Sequence, residues 1–218
     1  MFYIINGSPR KNGNTAELLH AAADGVRAAG KEIVWVDLYS LNYKGCVSCF
    51  ACKRKDGNHK CLCACRDELT PVLEGLLHAD GIIMGTPIYF RNITGAMQSF
   101  VERFLFPNYE YTPEAVCYPG ALPNGFIYTM NVDQDKAQSV GLLDFLKTDQ
   151  GFASALLRSK TEVLYAYNTK QFDDYSKYVV TTFSEEDKDR YRREHFNEDL
   201  AAAYAMGQKL ANAAFTVK

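Results

Sequence analysis

Two stretches of this 218-residue sequence carry side chains suited to chemistry. The first is Asn6-Gly7-Ser8-Pro9-Arg10-Lys11-Asn12-Gly13-Asn14-Thr15, a run of hydroxyls, amides, two cations and two glycines. It lies between a short apolar run, Phe2 to Ile5, and the helical pattern of Ala16-Glu17-Leu18-Leu19. A strand-to-helix loop of this kind turns several N–H and O–H donors on one point, at the positive end of a helix dipole. That is an anion site, most simply for a phosphate. The plainer alternative is an ordinary polar loop with helix-capping residues. The second stretch holds six of the seven cysteines, between Cys46 and Cys65. In a reducing compartment, clustered thiols bind metal or do redox chemistry more often than they form disulfides.

The first loop can be narrowed by what it lacks. A triphosphate loop needs Lys-Ser or Lys-Thr after its last glycine, and here Gly13 is followed by Asn14-Thr15. The dinucleotide fingerprint G-x-G-x-x-G is absent from the chain. A terminal phosphomonoester fits better, surrounded by the hydroxyls of Ser8 and Thr15, the amides of Asn12 and Asn14, and Arg10. A second loop, Pro87-Ile88-Tyr89-Phe90-Arg91-Asn92, follows a later strand and offers a flat apolar surface with backbone N–H groups. A planar heterocycle could stack there. The alternative is that Tyr89 and Phe90 are core residues at a strand end.

Elements that would position these loops are readable from period and punctuation. Short, nearly continuous apolar runs at residues 2–6, 32–37, 81–85, 126–130 and 161–167 suit parallel strands buried on both faces. Helical patterns fall at about 14–29, 67–78, from 94, 139–158 and 197–215. The 139–158 pattern carries an expected interruption near 148–151. In the second, Leu69, Val72, Leu73, Leu76 and Leu77 form one stripe, and Pro71 is acceptable only in its first turn. The last would turn Leu200, Ala203, Tyr204, Gly207, Leu210 and Ala214 inward. Residues 38–66 read as an insertion after the second strand, 106–123 as a long aromatic connection, and 170–184 has no clear period. Five strands alternating with helices predict a three-layer α/β sandwich. In the strand order 2-1-3-4-5, the loops after strands one and three meet at one crevice outside the carboxyl edge.

The bulk numbers restrict the partners. A formal net charge of −2 argues against nucleic acid or an anionic membrane surface. No apolar run approaches the ~20 residues that cross a bilayer. The sequence enters a strand at once, without the basic and apolar regions of a secretory signal. A cytoplasmic location and one domain, residues 1–218, are therefore expected.

With these residues in view, the chain resembles the NADPH-dependent FMN reductase family of flavodoxin-like proteins. The resemblance is carried by Gly7 to Thr15, by Ala79-Asp80-Gly81-Ile82-Ile83-Met84-Gly85-Thr86-Pro87-Ile88-Tyr89-Phe90, and by Asn92-Ile93-Thr94-Gly95-Ala96-Met97 on to Glu102-Arg103. It implies a flavodoxin-like sandwich. It also implies FMN phosphate on Ser8, Arg10, Asn12, Asn14 and Thr15, and an isoalloxazine ring against Pro87, Ile88, Tyr89 and Phe90 with Asn92 close by. The implied activity is FMN-dependent oxidoreduction, with NAD(P)H or a ferredoxin-type protein as electron donor. Homodimers or homotetramers are expected, with 106–123 as a candidate contact. No side chain need act as acid or base, so no catalytic residue is named.

Within that family the chain is most similar to the iron–sulfur flavoproteins. Cys46, Cys49 and Cys52 form C-x2-C-x2-C, the spacing with which bacterial ferredoxins place three thiolates around a [4Fe–4S] cluster. A fourth must come from Cys61, Cys63 or Cys65, and Cys61 is the candidate by order. Lys44, Lys53, Arg54, Lys55, Lys60 and Arg66 would offset the cluster's negative charge. Zinc, and free or disulfide-bonded thiols, remain open alternatives. Cys117 reads as a packed thiol. Without a cluster the chain would be an NAD(P)H-dependent reductase of FMN or quinones, or a flavodoxin-like electron carrier. With zinc it would be a stapled binding module.

Overall fold

The computed structural model describes residues 1–113 and 116–213. Its strands are β1 (Phe2–Asn6), β2 (Ile33–Asp37), β3 (Gly81–Pro87), β4 (Asn124–Thr129) and β5 (Thr161–Ala166). All pair in parallel in the order β2-β1-β3-β4-β5, as the sequence pattern predicts. Asn6 stands beside Gly85, and Pro87 beside Thr129. The carboxyl ends of β1, β3 and β4 therefore form one edge.

Among the described residues, seven helices flank the sheet: α1 (Asn14–Ala28), α2 (Thr70–Leu76), α3 (Gly95–Leu105), α4 (Gln134–Ser139), α5 (Leu142–Leu156), α6 (Glu185–Glu194) and α7 (Phe196–Ala211). Alternate strand residues feed opposite layers. Phe2, Ile4, Ile83 and Ile127 are buried with Leu18 and Leu19 of α1 and Met206 and Leu210 of α7. Ile5, Ile82, Met84 and Phe126 are buried with Leu73 of α2, Phe100 and Phe104 of α3 and Leu146 of α5. Each such side chain contributes roughly 1.5–3 kcal/mol by leaving water. Among the described residues, no helix is long and apolar enough to cross a membrane.

Helices α1 and α7 touch backbone to backbone. A Cβ on Gly207 would lie 2.0 Å from the Ala22 carbonyl oxygen, and one on Gly25 would lie 2.0 Å from that of Tyr204. Glycine at both crossing points is thus a packing requirement. The inward stripe expected for α7 is seen at Ala203, Gly207 and Leu210, whereas the Tyr204 side chain is exposed. Ala214, and Phe215 at the expected end of that helix, lie outside the described residues.

Several boundaries differ from the pattern. Helix α2 begins at Thr70, because Asp67 and Thr70 form a turn ahead of it: the Asp67 N–H donates to Thr70 Oγ1 at 3.0 Å. Pro71 sits in its first turn, as required. The break in the 139–158 pattern falls at Gly141, which has φ +67°, and α5 then runs through 148–151 unbroken. The 106–123 connection packs back on its own chain through Tyr118, whose hydroxyl donates to the Leu76 carbonyl at 2.7 Å.

Helix α6 has no apolar stripe, so periodicity did not find it. Local signals form it instead: Ser184 Oγ accepts the Asp187 N–H at 3.3 Å, its first turn is acidic and its last turn is basic. Its buried residue is Lys188, only 1% exposed. The ammonium donates to the Asn131 carbonyl and, at 2.6 Å, to Asn168 Oδ1, joining the segments after β4 and β5.

Two predictions follow from this packing. Gly207→Val should destabilise the protein by ~1–3 kcal/mol by overpacking the α1–α7 crossing, measured by urea unfolding. For Lys188, burial is the main reason its pKa falls from 10.5 to about 8, with Asp133 and Asp187 opposing. The unfolded chain therefore binds more protons between these pH values, so stability contributed by this group rises as pH rises from 8 to 10.5. Wild type should gain about 2 kcal/mol on Lys188→Met across that window. A pH-independent difference in denaturation free energy would contradict the assignment.

Candidate functional site

The loop after β1 is shaped by its own side chains. Asn6 Oδ1 accepts the Ser8 N–H at 3.0 Å, and Ser8 Oγ accepts the Arg10 N–H at 3.1 Å. Gly7 is clamped between β3 and α3: its N–H donates to the Gly85 carbonyl at 2.8 Å, and its carbonyl accepts Thr94 Oγ1–H at 2.8 Å. A Cβ at Gly7 would lie 2.8 Å from the Met97 side chain. The loop enters α1 through Gly13, which is extended and supplies no side-chain cap. The N-terminal N–H groups of α1 thus get no side-chain acceptor from their N-cap. The buried Thr15 Oγ1 lies 2.7 Å from Thr129 Oγ1, tying α1 to the end of β4.

Ser8, Arg10, Asn14 and Thr15 share one cavity of about 110 Å³ with Pro87, Ile88 and Tyr89. The two loops expected to meet do meet. Asn12 lines a larger adjoining cavity of about 670 Å³. Phe90 and Asn92 stand elsewhere. Tyr89 and Asn92 close a tight turn by exchanging N–H···O bonds of 2.8 and 3.0 Å, with Phe90 and Arg91 both left-handed at its tip. Phe90 is fully exposed there, and Asn92 Oδ1 accepts the Ile93 N–H at 2.8 Å. Of the expected aromatic wall, Tyr89 lines the smaller cavity and Phe90 does not.

Sequence reasoning missed the remaining walls. Thr129, Met130 and Asn131 at the end of β4, and Thr169, Lys170 and Gln171 after β5, close the smaller cavity. The rule that ligands bind at carboxyl edges was signal enough for the first three. The second three come from the segment without a period. They cross the phosphate-type loop: Arg10 Nη1 donates to the Gln171 carbonyl, and Asn14 Nδ2 to that of Lys170 at 2.7 Å. Arg192 of α6 donates to Asn14 Oδ1 at 3.0 Å and pairs with Glu17 at 2.8 Å.

The cysteine insertion makes a second candidate site on the α3 side of the sheet. Cys46, Cys49, Cys52, Cys63 and Cys65 border one small pocket of about 10 Å³, together with Glu102 and Arg103 of α3. The expectation for Cys61 is corrected: its sulfur is bonded to Cys117, with the two Cα atoms 5.7 Å apart. Cys61 is left-handed, φ 60°, which turns its side chain toward the 106–123 connection. Cys117, expected as a packed thiol, is its partner. Burial, reinforced by neighbouring thiols, holds the Cys52 and Cys65 thiols above their usual range. Among the described residues, no group of three or more His, Cys, Asp or Glu stands ready to hold a metal ion as arranged.

The insertion's cations mostly face elsewhere. Arg54 pairs with Asp56 and Arg66 with Glu74, all exposed. Lys53 donates to the carbonyls of Phe106, Pro107 and Tyr109 at the end of α3. The buried cation at the thiols is Arg103, 1% exposed, which came from the sequence without a role. Its Nη1 donates to the Lys44 carbonyl and to Asp67 Oδ2, both at 2.8 Å. Nη2 donates to the Cys65 carbonyl at 3.1 Å and Asp67 Oδ1 at 3.2 Å. One guanidinium thus fixes both ends of the insertion.

Comparison with known proteins agrees with this architecture. The family model described as NADPH-dependent FMN reductase matches residues 2–121. An "Iron-sulfur flavoprotein" of Archaeoglobus fulgidus is 38% identical over 99 residues, covering 45% of this chain and 46% of the relative. One of Methanocaldococcus jannaschii is 31% identical over 99 residues, covering 45% and 49%. The chain thus spans about half the length of the curated relatives it matches. Among solved structures, an NAD(P)H:quinone oxidoreductase from Methanothermobacter marburgensis superposes with TM-score 0.67 at 13% identity, covering 98% of both chains. An azoreductase from Bacillus anthracis gives 0.61 at 15% identity, covering 98% of this chain and 99% of the other. At these identities the structures speak for the fold, and the family model speaks for descent: the chain belongs to the NADPH-dependent FMN reductase family.

Proposed function

We propose that this chain is an FMN-dependent oxidoreductase whose 218 residues act as one flavin-binding unit. The observation that carries the proposal is the meeting of an uncapped α1 N-terminus, with buried Ser8 and Thr15 hydroxyls, and the Pro87–Tyr89 wall in one carboxyl-edge cavity. The donor set suits a phosphomonoester dianion: hydroxyls, helix N–H groups and the Arg10 cation. Ser8, Arg10, Asn14 and Thr15 would hold the phosphate, with Asn12 at its outer side. Pro87, Ile88 and Tyr89 would present an apolar face and backbone N–H groups to the ring. When bound, FMN accepts hydride and releases electrons singly or in pairs. The protein's part is to position it and exclude water, with no side chain assigned as acid or base. NAD(P)H or a ferredoxin-type protein is the electron donor in this proposal. The working form is a cytoplasmic homodimer or homotetramer, acting without nucleic acid or membrane.

The thiol pocket is proposed to hold a [4Fe–4S] cluster on Cys46, Cys49, Cys52 and Cys63, relaying single electrons between flavin and partner. Its chemistry fits: an all-thiol donor set with a buried guanidinium beside it. The space between the thiols is smaller than a cubane, so ligation requires the 46–52 loop to move outward. That loop is at the surface, with Cys49 exposed and Val47 60% exposed. The same small volume favours a second reading, a cluster-free NAD(P)H-dependent reductase of FMN or quinones. Iron and sulfide analysis of anaerobically purified protein separates the two.

Ser8→Asp or Arg10→Glu should weaken FMN binding about 100-fold, roughly 2.7 kcal/mol, in a flavin fluorescence titration. Retention of flavin by both variants would show the phosphate to lie elsewhere. Cys63→Ser should lower bound iron and sulfide, and Cys61→Ser should not. The reverse pattern would return the fourth position to Cys61.

A further inference from the structure

The cavity outside the phosphate-type loop is larger than a mononucleotide requires. It holds about 670 Å³, against about 110 Å³ for the cavity that joins Ser8 and Thr15 to the Pro87–Tyr89 wall. The two share Arg10, Gly13, Asn14, Lys170 and Gln171, so they are continuous at the phosphate end. A ligand that ends at its phosphate would leave the outer cavity unused. Its volume falls in the ~300–1,000 Å³ range of small-molecule sites.

The segment that closes this cavity, residues 170–184, carries four aromatics without a helical or strand period. Three of them pack as one unit. Tyr175 is buried, and its hydroxyl accepts the Gln171 N–H at 3.1 Å. Phe172 meets Tyr175 edge to face at 5.1 Å, and Tyr178 lies on Phe172 at 4.0 Å with the rings 17° from parallel. Tyr178 lines the cavity and is 53% exposed. A half-exposed ring backed by two others is a stacking surface for a flat base. The phosphate-type loop holds the segment there, through Arg10 Nη1 on the Gln171 carbonyl and Asn14 Nδ2 on that of Lys170. Charge at the cavity is mostly paired: Lys170 with Asp189 at 2.6 Å, and Arg192 with Glu17 at 2.8 Å. Asp173, the remaining acid of the lining, has neither ion pair nor hydrogen bond among the described residues. An unengaged carboxylate can accept from ribose hydroxyls, as an acid does in dinucleotide sites. With Arg10, Lys170 and Arg192 balanced by Glu17, Asp173 and Asp189, the outer cavity suits a nucleoside better than a polyphosphate.

We propose that the outer cavity is an adenylate subsite, so that the chain takes FAD in addition to FMN and binds it more tightly. Tyr178 would stack on the adenine and Asp173 would accept from its ribose. Arg10, which borders both cavities, would face the diphosphate between them. The inference rests on the flavin reading of the carboxyl-edge site made above and extends that site past the phosphate.

The test is calorimetric titration of the flavin-free full chain with FMN and, separately, with FAD. Wild type should bind FAD at least about tenfold more tightly than FMN. Equal affinities, or a preference for FMN, would overturn the subsite. Tyr178→Ala should weaken FAD binding about tenfold through lost stacking and leave FMN binding within about twofold. Equal losses for both flavins would make Tyr178 a support of the loop and overturn its role as a base platform. If that variant does not fold, Asp173→Ala decides, because it removes an exposed side chain that has no partner to lose. It should weaken FAD about tenfold and spare FMN, and an unchanged FAD affinity would overturn the proposal. Binding of neither flavin to wild type would refute the flavin reading itself, whereas FMN binding without a gain for FAD refutes the subsite alone.

Discussion

The buried ion pair between Arg103 and Asp67 decides where the cysteine insertion lies. Such pairs gain little net stability over an apolar substitute, yet removing one partner strands a charge and costs ~3–5 kcal/mol. The pair therefore acts as a constraint more than as a source of stability. Its two terminal nitrogens also bind the carbonyls of Lys44 and Cys65, so the insertion's entry and exit close on one side chain. Long loops need such closure, because ordering each residue costs ~1–2 kcal/mol of backbone entropy that an irregular segment cannot recover by pairing.

Helix α3 transmits this constraint to the other site. At its start, Thr94 Oγ1 both caps the helix, accepting the Met97 N–H at 3.2 Å, and donates to the Gly7 carbonyl. At its end, Glu102, Arg103 and the carbonyls of 106–109 hold the cysteine insertion. Tyr43 adds a bond from the insertion to the Ala96 carbonyl, at 2.5 Å, near the start of α3. The phosphate-type loop and the thiol pocket are thus fixed to opposite ends of one rigid element. The relative position of the two candidate sites therefore depends on a single helix rather than on loops.

What was legible in the sequence was local. Strands β1, β3 and β4 declare themselves by short apolar runs, because both of their faces are covered. The phosphate-type loop is legible because its donors are neighbours in sequence. Helix α6 was not, because its register is set by Lys188 and by capping charges instead of an apolar stripe. Lys170 and Gln171 reach the site across more than 150 residues, and nothing in their own segment marks them. Phe90 looked like a wall because of its type; it stands fully exposed in a left-handed turn and does not line the cavity. Arg103 was visible as part of a motif, but its partners come from two separate stretches of the chain, Lys44 and Cys65–Asp67.

The cysteines illustrate how backbone geometry overrides spacing. By order alone, Cys61 follows Cys52 and should complete the set. In an extended segment, residues 61, 63 and 65 would present their side chains to one side. The left-handed conformation at Cys61 breaks that alternation. Cys61 then meets Cys117, while Cys63 and Cys65, one residue apart, both reach the pocket. Five free thiols consequently border one pocket. Cys65 has its carbonyl committed to Arg103, and Cys63 is buried. Backbone conformation at one residue thus decides which thiols share the pocket.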